Sequence, residues 1–217
     1  MKLHLGCGNY YLKGYINIDL PTTKESRPLK NKVDVHKDIL RLQYPNNSID
    51  EIRLHHVFEH FTRPIVCALI SAWYLWLKPI GILHIEVPDF YKTAKVILKP
   101  FISKKLIFSA LRHLGGSHQA DWAVHCEAYT IKSLSMLVKR YGFKIIKTSQ
   151  NQWKGTYNFE IIAQKKVLNL TLDNLEDIAC NYLKLFLIDE SEIKLLQVWL
   201  DIYKKQMERF SFYLKRI

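Results

Sequence analysis

The chain has no CxxC pair, no internal repeat, no low-complexity tract and no apolar stretch approaching the ~20 residues a membrane span requires. Its four cysteines, Cys7, Cys67, Cys126 and Cys180, are scattered. That spacing excludes a cysteine zinc knuckle and a disulfide framework, and it fits reduced thiols in a cytoplasmic protein. Residues 1–6 read as a strand rather than a signal peptide, because the first apolar run starts at once. Acidic side chains are scarce in one segment: residues 92–165 hold thirteen Lys/Arg and three Asp/Glu. Nearly all of the net charge of +12 lies there. Such a segment suits an anionic partner, whether a phosphate-bearing substrate, a lipid surface or nucleic acid; a solvated face gives the same pattern.

What is present is an ordinary globular composition, 48% apolar and 24% charged over 217 residues, the size of one α/β domain with an appendage. Strand-like runs occur at Lys2–Leu5, Tyr15–Asp19, Val33–His36, Ile49–His55, Gly81–Val87, Phe143–Thr148 and Tyr157–Gln164. Helical spacing between them predicts a helix over Pro64–Leu77, with Thr62 as its N-cap, and another over Ile131–Tyr141 that stops on Gly142. Alternating strands and helices imply a parallel sheet with right-handed crossovers. The last two strands have only the loop Gln150–Thr156 between them, so they pair as an antiparallel hairpin. Beyond Lys166 the pattern becomes two helices, Leu172–Leu187 and Glu190–Arg216, that pack on the domain or on a second copy. The expected division is a domain over 1–166, with a lid near 92–120, and a helical tail over 167–217.

The chemistry concentrates at strand ends. Gly6-Cys7-Gly8 follows the first strand, and glycine there lets a ligand approach the main chain closely. Asp19 ends the second strand, where a carboxylate can accept hydrogen bonds from a ribose diol. Asp38 follows the third strand; it can meet an adenine amino group or cap the turn that follows. The fourth strand closes on His55-His56-Val57-Phe58-Glu59-His60, three imidazoles and a carboxylate at the edge where open α/β sheets bind ligands. Imidazole titrates near neutrality and can take a proton from a hydroxyl. Asp89 reads as the N-cap of the next helix. Lys92–Leu114 is basic and amphipathic, and forms a lid, a membrane-surface contact or a packed helix pair. His118 and His125 follow it.

Together LHLGCGN, GYINID, VDVHKDI through NNSIDEIRLHHVFEHF, LKPIGILHIEVPDF and LSMLVKRYGF resemble class I S-adenosylmethionine-dependent methyltransferases, most nearly the small type associated with glycan biosynthesis. The resemblance covers about residues 1–165. It implies a Rossmann-like α/β fold: a seven-stranded sheet in the order 3-2-1-4-5-7-6, strand 7 antiparallel, with helices on both faces and a C-terminal helical extension. It implies S-adenosyl-L-methionine as cofactor, contacted by Leu5, Gly6, Cys7, Gly8, Asp19, Asp38, Ile39, His55 and His56, and S-adenosyl-L-homocysteine as product. The chain departs from the pattern in three places. The loop lacks its third glycine, the span from Gly8 to Asp19 leaves room only for a stub of crossover helix, and Pro79-Ile80-Gly81 replaces a Pro-Gly-Gly turn. One subset of the resembled enzymes holds a divalent metal through Glu-x-x-Glu-His and a later His; here the run is His56-x-x-Glu59-His60, with His125 as a fourth candidate, and metal use is left open.

The expected activity is O-methylation of a sugar hydroxyl on a glycan or glycolipid, with His60 or His125 as general base. The expected partners are a lipid-linked saccharide, an anionic membrane touched through residues 92–112, and a second copy bound through the C-terminal helices. The competing readings are an RNA methyltransferase, motivated by the basic segment, and a non-catalytic Rossmann-like assembly protein. An aminopropyl transferase is remote, because the middle segment lacks the acids that an amine substrate needs.

Overall fold

In the computed structural model, residues 1–21 and 32–210 are described. Seven strands form one sheet: β1 (Lys2–Leu5), β2 (Ile16–Asp19), β3 (Val35–His36), β4 (Ile49–His55), β5 (Leu77–Pro88), β6 (Phe143–Trp153) and β7 (Thr156–Lys165). Their order is β3-β2-β1-β4-β5-β7-β6, and β7 runs antiparallel to both neighbours. Order and direction are those expected. The helices are α1 (Arg63–Trp76), α2 (Phe90–Ile97), α3 (Lys104–Gly115), α4 (Ile131–Arg140), α5 (Leu172–Leu183) and α6 (Ile193–Phe210).

The strand period of two gives the sheet two unlike faces. Leu3, Ile52, Leu83 and Ala163 align in one cross-strand row, and Leu5, Leu54, Ile85 and Ile161 in the next. All eight are buried in one core with α1, α4, α5 and α6. Each buried aliphatic side chain of this size contributes about 1.5–3 kcal/mol. The alternate rows are polar: His4, Arg53 and His84, then His55, Glu86, Glu160 and Ser149.

α1 lies at the centre of the apolar layer and is buried on all sides, from Val66 through Trp76, apart from partly buried Leu75. A helix apolar all round needs cover on its far side. α5 and α6 supply it. The hydroxyls of Tyr203 and Ser71 lie 3.1 Å apart, and Phe210 meets Trp76 edge-on at 5.4 Å. The helices after Lys166 thus complete the core. The end of the final helix expected over 211–216 lies outside the described residues.

Several local expectations change. β3 is only two residues long, and no helix forms between β1 and β2. Thr62 occupies the N-cap position of α1 without a side-chain cap bond; Pro64, which needs no N–H partner, opens that helix instead. The expected loop Gln150–Thr156 shrinks to Lys154-Gly155, both with positive φ, as a two-residue hairpin turn requires. The strands therefore extend to Trp153 and back from Thr156. Where Pro-Gly-Gly was replaced, Ile80 takes φ +62 with its side chain exposed. A β-branched residue is strained in that region.

Two stability outcomes follow. Leu196→Ala, in the α6 core, lowers unfolding free energy by about 2–4 kcal/mol, whereas Val198→Ala on its exposed side changes it by about 0.5 kcal/mol or less. Ile80→Gly raises stability by roughly 0.5–1 kcal/mol by removing the strained conformation. Urea denaturation measures all three.

Candidate functional site

The loop after β1 is fixed from both sides. Gly6 has φ +63, and a Cβ there would stand 2.3 Å from Cγ2 of Val57, so only glycine lets this loop press against the segment after β4. The Cys7 N–H donates to the Ile18 carbonyl at 3.1 Å. Buried Asn17 accepts from the Leu12 N–H at 2.8 Å and faces the His4 ring at 3.0 Å. Gly8 has φ +51 but nothing within 4 Å of where its Cβ would be, so its main chain borders open space.

Asp19 stands beside that space. One carboxylate oxygen accepts from the Gly8 N–H at 2.5 Å and the other from the Leu20 N–H at 2.7 Å. Asp38 accepts from the Leu40 N–H at 2.9 Å and caps the short 3-10 turn Ile39–Arg41. Leu5 and Ile39 bury their side chains in the core. Burial pushes the Cys7 thiol up to about 12, so it is neither nucleophile nor ready metal ligand at neutral pH.

The second half of the site is an imidazole–carboxylate cluster. His55 approaches Glu86 at 2.8 Å and stacks toward Tyr10, ring centres 6.4 Å apart. His56 bridges two buried carboxylates, Nδ1 to Glu59 at 3.3 Å and Nε2 to Glu86 at 3.5 Å. Burial works against its charge, but the hydrogen bonds to Glu59 and Glu86 outweigh it and raise His56 to about 9. Burial likewise opposes ionisation of Glu86, and the bonds from His55 and His56 override it, holding the carboxyl well below its usual range. His56 keeps φ +55, a left-handed conformation that its two partners impose.

His60 and His125 meet edge to face at 4.6 Å. Nδ1 of His60 lies 3.0 Å from the Val124 carbonyl, and Nδ1 of His125 lies 3.2 Å from that of Leu114. A carbonyl only accepts, so both Nδ1 atoms donate, and each ring directs its Nε2 away from that carbonyl. Nε2 of His125 points toward Glu59 at 3.9 Å. Burial lowers the His125 pKa, against the pull of the Glu59 carboxylate. Glu59 is 1% exposed, and its Oε2 has no partner among the described residues.

The fold therefore brings His55, His56, Glu59, His60 and His125 together at the carboxyl edge, and places Gly6, Gly8 and Asp19 along the same edge. His118 turns away, its Nε2 on the Gly115 carbonyl at 2.9 Å. Two partners escaped the sequence reading. Glu86 was hidden in an apolar strand, though a carboxylate beside His84 in a buried run is itself a signal. His113 sits edge-on to His56 at 5.9 Å, its Nε2 on the Tyr157 carbonyl at 3.1 Å. Two triads hold their ligand atoms within 4.8 Å: His55, His56 and Glu86, and Glu59, His60 and His125. Their nitrogen–oxygen chemistry suits a divalent transition ion.

No family model matches the chain, and no curated protein does. Solved structures do. A methyltransferase from Archaeoglobus fulgidus described as S-adenosylmethionine-dependent aligns with TM-score 0.51 at 15% identity, over 76% of this chain and 85% of its own. The 1,6-didemethyltoxoflavin-N1-methyltransferase of Burkholderia thailandensis, solved with 1,6-didemethyltoxoflavin and S-adenosylhomocysteine, aligns with TM-score 0.52 at 15% identity, over 76% and 70%. A putative S-adenosylmethionine-dependent methyltransferase from Listeria monocytogenes gives 0.51 at 16%, over 76% and 90%. The fold of this chain is thus that of the class I methyltransferases.

The His56 bridge has a pH signature. Its pKa in the fold, about 9, lies above the unfolded value of 6.5. The bridge stabilises the fold fully below about pH 6.5 and is lost as pH rises through about 9. Thermal unfolding midpoints fall between about pH 7 and about pH 10, and the fall is smaller in His56→Gln.

Proposed function

We propose that the protein is an enzyme that moves a methyl group from S-adenosyl-L-methionine to a sugar hydroxyl of a glycan or lipid-linked saccharide. The observation that carries this reading is the open main-chain space at Gly8, beside Asp19, on the same strand edge as two imidazoles anchored on main-chain carbonyls. Gly6, Cys7 and Gly8 with the main chain of Leu5 would line the methionine side of the cofactor, Asp19 its ribose, and Asp38 and Ile39 its adenine, with His55 and His56 flanking. The positive-φ glycine and the strand-end carboxylate fit that group. When bound, the cofactor supplies a sulfonium-activated methyl, so the protein's task is alignment and proton removal.

The chain's own groups can do the second. Nε2 of His125 accepts the proton of the acceptor hydroxyl. Nδ1–H, fixed on the Leu114 carbonyl, holds the ring in orientation. The imidazolium that results gains a neighbour in Glu59, whose buried carboxylate stabilises positive charge there. His60 offers a second Nε2 beside it. We read residues 1–166 as the catalytic domain, with 92–120 as its lid. The outward-facing Leu195, Val198 and Ile202 of α6 suit a second copy of the chain. An RNA acceptor is the second reading, favoured by the charge of residues 92–165.

Calorimetry is expected to give micromolar binding of S-adenosylmethionine to the wild type and none to Asp19→Ala; retained micromolar affinity in the variant contradicts the assignment. His125→Ala lowers kcat by about 10²–10⁴-fold with cofactor affinity unchanged. Mass spectrometry of glycan acceptors finds a gain of one methyl group, and transfer only to RNA selects the second reading.

A further inference from the structure

We propose that the α2–α3 pair docks the protein on an anionic lipid surface, with the histidine cluster on the far side of α3 from that surface. This deepens the reading above by naming where the acceptor lies. Lipid binding is measured without cofactor, so the two ideas fail separately.

The pair has distinct inner and outer faces. Thr93, Val96 and Ala110 are buried, which sets the inward side of both helices. On α2 the opposite side carries Tyr91, Lys95 and Leu98; on α3 it carries Lys104, Phe108 and Leu111. These are exposed: Leu98 by 80% and Phe108 by 68%. Phe101, between the helices, is wholly exposed with φ +58, so the turn displays the ring instead of burying it. The hairpin tip packs on α3 from its inner side, with Gly155 against Leu106, and exposes Trp153 with Lys154 over its ring at 4.7 Å.

Charge on this surface has one sign. Residues 90–120 contain six Lys/Arg and no Asp or Glu. Bulky apolar groups ringed by lysine match an interface in which apolar side chains enter the acyl boundary and ammonium groups meet anionic headgroups. Nucleic acid fits less well. It uses aromatic faces for stacking and has no use for exposed aliphatics such as Leu98 and Leu111.

The inner end of the pair reaches the site. His113 of α3 touches His56, the Leu114 carbonyl fixes Nδ1 of His125, and the Gly115 carbonyl accepts from the His125 N–H at 3.1 Å. A surface held by the outer face of α3 therefore lies one helix diameter, ~10 Å, from the proposed base.

The full chain, without cofactor, is sedimented with phosphatidylcholine vesicles and with vesicles containing about 30 mol% phosphatidylglycerol, at about 0.1 M salt. Binding to the anionic vesicles is expected to exceed that to neutral ones by roughly tenfold or more, and to fall by a similar factor in Lys104→Glu/Lys105→Glu and in Phe101→Ser/Phe108→Ser. Circular dichroism confirms that both variants fold. Amide exchange slows over 92–112 in the bound state. Equal binding to neutral vesicles, no binding, or binding untouched by both variants overturns the proposal. So does a generic oligonucleotide that displaces the vesicles, which would assign the surface to RNA.

Discussion

Two carboxylates taken out of water beyond the end of β4, Glu59 and Glu86, share one imidazole, His56, and Glu86 has His55 as well. A buried carboxylate without a partner is expensive, and the molecule answers with a protonated ring held between both. That ring sits on a left-handed backbone, uncommon outside glycine, and the ion pairs offset its cost. With His56 committed to charge balance, the neighbouring imidazoles are released for other work. His60 and His125 are oriented by main-chain carbonyls. A structural cation and two imidazoles anchored on main-chain carbonyls thus coexist within one cluster.

Much of the fold was legible because burial imposes simple periods. Leu3, Ile52 and Ile85 alternate with polar residues because only one face of the sheet meets the apolar layer, and α1 is apolar throughout because it is covered on both sides. Charged strand-end residues such as Asp19 and Glu59 were conspicuous against those runs. Elements without such a period were harder to read. The turn at Lys154-Gly155 places a lysine where glycine or asparagine is the usual sign, and Ile80 occupies a glycine conformation that no propensity suggests.

The site was legible strand by strand and obscure across strands. His55, His56, Glu59 and His60 are neighbours in sequence, so their proximity needed only the end of β4. Glu86 joins them through the β4–β5 register, which pairs it with His55. His113 joins through the folding back of α3, a tertiary event with no local signature. Asp38 shows the reverse limit: one carboxylate can cap a turn and border a pocket, and sequence alone does not rank the two roles.

The two-faced sheet bears on how this chain can drift. On β4 the inward positions Ile52 and Leu54 sit in a close-packed layer where a lost methylene is felt. The intervening Glu51 and Arg53 are half-buried among polar neighbours that accept many replacements. Lineages sharing this architecture can therefore rewrite alternate strand residues outside the site, such as Glu51 and Arg53, while the layer beneath stays recognisable only as shape. Backbone superposition then outlasts any resemblance in letters.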